Sequence, residues 1–527
     1  MNRRTFLGSA AGALMAPARK RPNIVVMLAD DMGWADLGCY GSEIRTPNLD
    51  RLAGRGVRFT QFYNTARCCP TRASLLTGLY PHQAGVGHMI NPRPLPGYQG
   101  DLNRNCVTMA EALKPAGYQT MMCGKWHVAK DVHRPGNWPL QRGFNKYYGI
   151  ITGATNYFDP VTLVRDNTVV GAEGDGYYLT DALAEQAARY VGEAAKKTDP
   201  FLLYLAFTSP HWPLQAPEAD IARCKGRYAM GWDALRAERH KRQVGMGLVD
   251  KRWALTARDA AVPAWVDAPN KGWEQRRMEV YAAQIEAMDR GVGLVVRTLE
   301  EAGELDNTLI LFMADNGGCA EVLGARKAGP VYRDKTRDGR PVRAGNSPAI
   351  APGGADTWAS YGVGWANASN TPFRLYKHWV HEGGISSPLI AHWPKGLTGR
   401  AGGVTHEPGH LVDVMATCLD VSGARYPAEV GGEKITPLEG RSLLKGRGDR
   451  ALYWEHEGNR AVRQGRWKLV SRYPGGWELF DLEADRTELH DLSGSNAARV
   501  AEMVAQYEAW AKPRNVVPWG ELPKAAV

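Results

Sequence analysis

The 527-residue sequence has no C-x-x-C pair, and its eight cysteines (Cys39, Cys68, Cys69, Cys106, Cys123, Cys224, Cys319 and Cys418) are scattered. The missing pair argues against a thiolate zinc site. The wide spacing is unlike the dense framework of a disulfide-stapled domain. No apolar run approaches the ~20 residues needed to cross a bilayer, so no membrane span is expected in the mature chain. No basic run of the nucleic-acid type stands out, so the formal net charge of +10 is not read as a nucleic-acid footprint. It suits an anionic substrate or an anionic membrane surface instead. Repeats at solenoid periods and low-complexity tracts are also absent. What remains is ordinary for a globular chain: 44% hydrophobic and 23% charged residues. The length fits one large domain with a smaller one, and 59 Gly with 32 Pro imply many loops.

The first 20 residues read as a targeting segment. Arg3-Arg4-Thr5-Phe6-Leu7 precedes a mild apolar stretch and Ala16-Pro17-Ala18. The paired arginines resemble a twin-arginine export signal, which implies the export machinery as a partner and a periplasmic or secreted destination. That route carries folded protein, which fits a site assembled before translocation.

The ordered chain is expected from Arg21. Asn23 to Ala29 is a continuous apolar run, as in a buried parallel strand, and ends in Asp30-Asp31. Thr308 to Ala314 is similar and ends in Asp315-Asn316. Gln119 to Cys123 and Phe201 to Phe207 read as further strands. Pro47 to Ala53 and Arg276 to Ala302 read as helices. Strands alternating with helices predict an α/β fold, a mainly parallel sheet sandwiched by helices. Residues 224–275 read as a polar surface insertion, and 320–370 as a long loop region. Beyond Ala424, four short strand-like runs and a helix at Ala497 to Ala511 predict a smaller antiparallel sheet plus helix. The expected division is 1–20 signal, 21–424 catalytic domain and 425–527 C-terminal α+β subdomain.

In open α/β sheets, ligands bind beyond the carboxyl ends of strands. Asp30-Asp31 and Asp315-Asn316 would there offer oxygen donors for a hard cation, Ca²⁺ or Mg²⁺. Alternatively they are turn and cap residues, a common use of Asp and Asn. The string Cys68-Cys69-Pro70-Thr71-Arg72 has Pro70 placed to open a helix and Gly78 to close it. Cys68 then sits at a helix N-terminus, where anions are favoured. Lys125 and His127 lie two apart, so in an extended segment they share a face.

Cys68, Pro70, Thr71, Arg72, Leu75, Thr77 and Gly78 match the C-x-P-[S/T]-R-x-x-L-x-T-G signature of the sulfatase family, which this sequence closely resembles. Further matching segments are Asp30-Asp31-Met32-Gly33, Gly124-Lys125-Trp126-His127, Ser209-Pro210-His211-Trp212-Pro213, Asp315-Asn316-Gly317-Gly318 and Thr371-Pro372-Phe373-Arg374 with Lys377 and Glu382-Gly383-Gly384-Ile385. Ser386-Ser387-Pro388 departs from the Arg-Val-Pro often found there. The resemblance implies an alkaline-phosphatase-like fold and hydrolysis of sulfate monoesters, aryl or carbohydrate. It implies that Cys68 is oxidised to formylglycine (3-oxoalanine) by a maturase, with Cys69 as a mere neighbour.

The same resemblance implies a metal, Ca²⁺ with Mg²⁺ as alternative, held by Asp30, Asp31, Asp315, Asn316 and residue 68. Arg72, Lys125 and Lys377 supply positive field. Asp315 helps deprotonate the hydrated aldehyde, His211 or Lys377 protonates the leaving oxygen, and His127 takes the proton that breaks down the sulfated intermediate. His88, Trp365, Asn367, His456 and Asn459 are expected to line the substrate pocket. The intended substrate leans towards a saccharide sulfate. Rival readings are a phosphatase, phosphodiesterase or phosphonate hydrolase of the same superfamily, and a non-catalytic sulfate-ester binder if Cys68 stays a thiol.

Overall fold

The computed structural model describes residues 21–325, 331–446 and 448–525. The export segment read at 1–20 lies outside them. Among the described residues no helix is long and apolar enough to cross a membrane.

The core is an eleven-stranded sheet. Its central five strands run parallel in the order Thr308–Ala314, Asn23–Ala29, Phe201–Ala206, Gln119–Gly124 and Lys146–Ile150. Asn23–Ala29 is buried throughout and sits mid-sheet. Its alternate residues serve two cores: Val25, Met27 and Ala29 face one, Ile24, Val26 and Leu28 the other. A strand covered on both faces has no need for polar alternation, which is why the run is uniformly apolar. Lys271–Glu301 and Leu179–Ala194 pack on the first face, Cys68–Thr77 and Val412–Ser422 on the second.

Beyond Thr308–Ala314 the sheet continues with Ser386–His392, which is antiparallel, and then Val57–Tyr63. Being antiparallel to Ser386–His392, Val57–Tyr63 points the same way as the central five. The smaller sheet is antiparallel: Leu452–His456, Asn459–Gln464, Trp467–Ser471 and Trp477–Asp481, followed by the helix Ala497–Ala511. The predicted α/β sandwich with a smaller antiparallel sheet and helix is therefore the observed architecture.

Residues 224–275 are not a loose insertion. Gly231–Gly245 is a helix whose inward face carries Arg236, Arg239 and Gln243, all buried. Arg239 reaches Asp36 and Glu43 at 2.8 Å each. Residues 320–370 are largely loop, but end in the helix Gly362–Ser369, most of which is buried. All eight cysteines are free and buried.

Candidate active site

Five strands that point the same way deliver the site at one sheet edge. Asp30-Asp31 follow Ala29, and Asp315-Asn316 follow Ala314, its registered partner. Lys125 and His127 follow Gly124; His211 follows the Phe201–Ala206 strand; Cys68 follows Tyr63 by a short turn. Gly124 is required there, because its φ is 113° and a Cβ would collide with the Ala206 carbonyl. Asp31, Ala66, His127 and His378 all hold positive φ (63°, 64°, 53° and 92°). Backbone strain of this kind gathers where structure over-determines a functional side chain. Lys125 and His127 both act on the Cys68 thiol, so the cation and the imidazole expected to lie together do meet at that residue, with His127 held in the left-handed region.

Cys68 opens the helix Cys68–Thr77, two residues before Pro70, and Gly78 closes it in the left-handed conformation. Hydrogen bonding from Cys69, then Lys125 and His127, hold the Cys68 thiol well below its usual pKa against the effect of burial. Cys69 Sγ lies 3.3 Å from His127 Nε2. Burial keeps His127 down to about 4, so its ring is neutral at pH 7.

Asp30, Asp31, Asp315 and Asn316 are each at most 1% exposed. Arg72 donates to Asp315 Oδ2 at 2.8 Å, lies 3.5 Å from Asp30 and caps the Lys125 carbonyl at 2.9 Å. Lys125 Nζ is 2.6 Å from Asp30, and Lys377 Nζ is 2.8 Å from Asp31. Asn316 Nδ2 donates to Asp31 Oδ1 at 2.7 Å. Two buried oxygens, Asp30 Oδ1 and Asn316 Oδ1, have no partner among the described residues. Burial, then the adjacent Asp315, push the Asp30 carboxyl well above the usual range despite Lys125 and Arg72. Three clustered carboxylates, with orphaned oxygens on Asp30 and on the Asn316 amide, fit a hard cation such as Ca²⁺ or Mg²⁺, and His211 stands beside Asp30 and Asp31.

Burial opposes ionisation of Asp31, but His211 and Lys377 outweigh it and lower its pKa. The effective cation is Lys377, because burial holds His211 itself down to about 3. Asp31, Cys319 and Glu321 push Lys377 well above its usual value against burial. His211 Nδ1 donates to the Trp212 carbonyl at 2.6 Å, leaving Nε2 bare at 3.4 Å from Lys377 Nζ.

The rim contains residues that the motifs did not flag. Arg67 pairs with Glu321 at 2.9 Å, and Trp212 Nε1 donates to Glu321 at 2.9 Å. His378 and Glu457 join His88, His456 and Asn459 in one cluster. The signal was adjacency: His378 follows Lys377, and Glu457 follows His456. Trp365 and Asn367 do not line a pocket. Trp365 is 0% exposed, set edge-on to Trp232 at 5.4 Å, with its indole N–H on the Glu274 carbonyl. Asn367 is 2% exposed, and its Oδ1 accepts from Asp259 N. Both belong to a helix that packs on Gly231–Gly245, so their burial is structural.

The family model described as Sulfatase matches residues 22–424, and that of the N-sulphoglucosamine sulphohydrolase C-terminal region matches 373–510. An uncharacterized sulfatase of Schizosaccharomyces pombe is 33% identical, covering 94% of this chain and 95% of its own. An arylsulfatase of Klebsiella aerogenes is also 33% identical, covering 82% and 93%. The solved structure of Ps i-CgsB in complex with k-i-k-neocarrahexaose superposes with a TM-score of 0.66 at 28% identity, covering 94% and 93%. With its alkaline-phosphatase-like sheet and this acid–base edge, the chain belongs to the sulfatase family, the hydrolases of sulfate esters.

Proposed function

We propose that the chain hydrolyses carbohydrate sulfate monoesters, using a formylglycine made from Cys68 and a Ca²⁺ ion held by Asp30, Asp31, Asp315 and Asn316. The observation that carries this reading is that Cys68, at a buried helix N-terminus, shares Lys125 with Asp30 and Asp31 with Asn316, the two residues with orphaned oxygens. The hydrated aldehyde supplies a hydroxyl nucleophile with a second hydroxyl for release, and the cation supplies Lewis acidity towards sulfate oxygens.

The chain's own residues do the rest. Arg72 is 0% exposed and acts beneath the site, fixing the Asp30 and Asp315 carboxylates and the Lys125 carbonyl. Lys125 brings a cation beside residue 68 and Asp30. His127, neutral at pH 7, accepts a proton from the residue 68 side. Of the two candidates for the acid, Lys377 carries the proton, and bare His211 Nε2 faces it. Lys377 therefore protonates the leaving oxygen, and His211 orients it. The residues matter most for a sugar alcohol, which leaves poorly as an alkoxide.

The lean towards saccharides rests on the hexaose in the similar structure and on the rim. Trp212 offers a ring for stacking, with Arg67 and Glu321 for hydroxyl groups. Half-buried His88, with His456 and Asn459 packed behind it, remains a proposed substrate contact. We further propose maturation by a formylglycine-generating enzyme and twin-arginine export to the periplasm or beyond. The working division remains a catalytic domain over 21–424 with a subdomain over 425–527. A panel of sulfated saccharides against aryl sulfates tests the substrate, using protein with confirmed formylglycine. Turnover of a sulfated saccharide is expected; nitrophenyl sulfate turnover with no saccharide activity contradicts it.

A further inference from the structure

Outside the carboxylate site, three separate segments bring metal-ligating side chains to one point. His88 comes from the loop after the Cys68 helix. His378 directly follows Lys377. His456 and Glu457 form the tip of the hairpin Leu452–His456 and Asn459–Gln464. Glu457 Oε1 is 2.6 Å from His88 Nε2 and 3.7 Å from His456 Nε2; Oε2 is 2.9 Å from His378 Nδ1. One ligand atom each from His378, His456 and Glu457 lies within 4.8 Å of the others. His456 is 0% exposed, yet among the described residues neither of its ring nitrogens has a hydrogen-bond partner. It lies between His88 and His378, with ring centroids 5.8 and 5.6 Å away. A buried imidazole with two unpaired nitrogens is costly unless something else takes a lone pair.

We propose that His378, His456, Glu457 and His88 form a binding site for a first-row transition cation, with Zn²⁺ as the probe ion. Three imidazoles and one carboxylate suit such an ion, whereas the oxygen donors of Asp30, Asp31, Asp315 and Asn316 suit a hard one. The ion takes the place of the protons that Glu457 now shares with His88 and His378. Ligation through Nδ1 puts the His378 ring proton on Nε2, 3.3 Å from the Asn459 amide, which must turn to present its oxygen. The bound ion ties the hairpin of the small sheet to the residue beside Lys377. It thereby fixes the loop that carries the acid, whose backbone at His378 is already held at φ 92°.

The test uses the full mature chain after chelation, titrated with Zn²⁺ in excess Ca²⁺ by calorimetry, and with Co²⁺ by visible spectroscopy. One equivalent is expected, with Co²⁺ d–d bands and no thiolate charge-transfer band, since Cys69 and His127, joined by Cys68 where it is unmodified, form the competing thiol set. His378→Gln and Glu457→Gln lie at part-exposed positions and are expected to weaken binding by about tenfold or more. His456→Gln, at the buried position, is expected to abolish the equivalent. No binding in excess Ca²⁺, a thiolate band, or an affinity indifferent to these variants overturns the proposal. The readout is metal content, so it fails or stands apart from the sulfatase reading.

Discussion

Replacing Lys377 by methionine keeps the aliphatic stem and removes the ammonium that sits 2.8 Å from Asp31 and 3.4 Å from His211 Nε2. Two losses follow. One is common to every substrate: Asp31 loses its neutralising cation and the site loses positive field. The other falls on the leaving oxygen. General-acid help is worth about 10²- to 10⁴-fold, or about 3–5 kcal/mol of barrier, where the leaving alcohol is a poor one. A nitrophenolate leaves without a proton and does not feel this second loss. The assay is kcat/KM for a sugar sulfate and for nitrophenyl sulfate, at saturating Ca²⁺, in parent and Lys377→Met. The ratio of the two losses cancels the common part. Lys377→Met should lower the sugar reaction by about 10²-fold or more beyond the aryl reaction. Equal losses on both substrates refute Lys377 as the acid. A substrate-dependent loss in His211→Ala with none in Lys377→Met reverses the two roles.

Lys468, 0% exposed, pairs with Glu382 at 2.9 Å and Glu488 at 2.7 Å beneath the small sheet. Lys468→Met leaves Glu488 without this buried cation while Glu382 keeps Arg486 at 2.9 Å, and should cost about 3 kcal/mol in urea unfolding; a loss under about 1 kcal/mol contradicts the pairing. Burial holds His410 down to about 3, below its unfolded value, with Nε2 unpartnered among the described residues. A depressed folded pKa leaves stability intact well above pH ~6.5 and removes it as pH falls, here by about 1.6 kcal/mol between pH 6.5 and 5. His410→Gln should flatten that slope by the same amount, and an unchanged slope contradicts it. Chelation should abolish activity and lower the melting temperature, both restored by Ca²⁺, because an ion at 100 times its Kd stabilises by about 2.7 kcal/mol. Asp31→Asn should remove the restoration; a chelator-insensitive enzyme contradicts the carboxylate site.

The parts of the fold that could be read from sequence were those where one signal dominated. Asn23–Ala29 and Thr308–Ala314 were readable end to end because strands covered on both faces become unbroken apolar runs. The small sheet was readable because turn residues punctuate it. The helix Gly231–Gly245 was hidden because its buried face is built from arginines and glutamine, satisfied by Asp36, Glu43 and backbone carbonyls far away in sequence. A hydrophobic pattern cannot report burial that is achieved by pairing. Trp365 was misplaced for the same reason, since its neighbours Trp232 and Trp265 come from that unrecognised segment. The site followed from motif spacing and the strand ends, but Glu321, His378 and Glu457 depend on loop conformation, which carries no period.

The most direct test of the central claim is mass spectrometry of the peptide spanning Cys68 in active, exported protein, paired with the activity of Cys68→Ala. Formylglycine at position 68, a thiol at Cys69 and no measurable sulfate release by Cys68→Ala are expected. A fully active preparation with an unmodified Cys68 thiol, or a Cys68→Ala enzyme that still turns over, contradicts the claim.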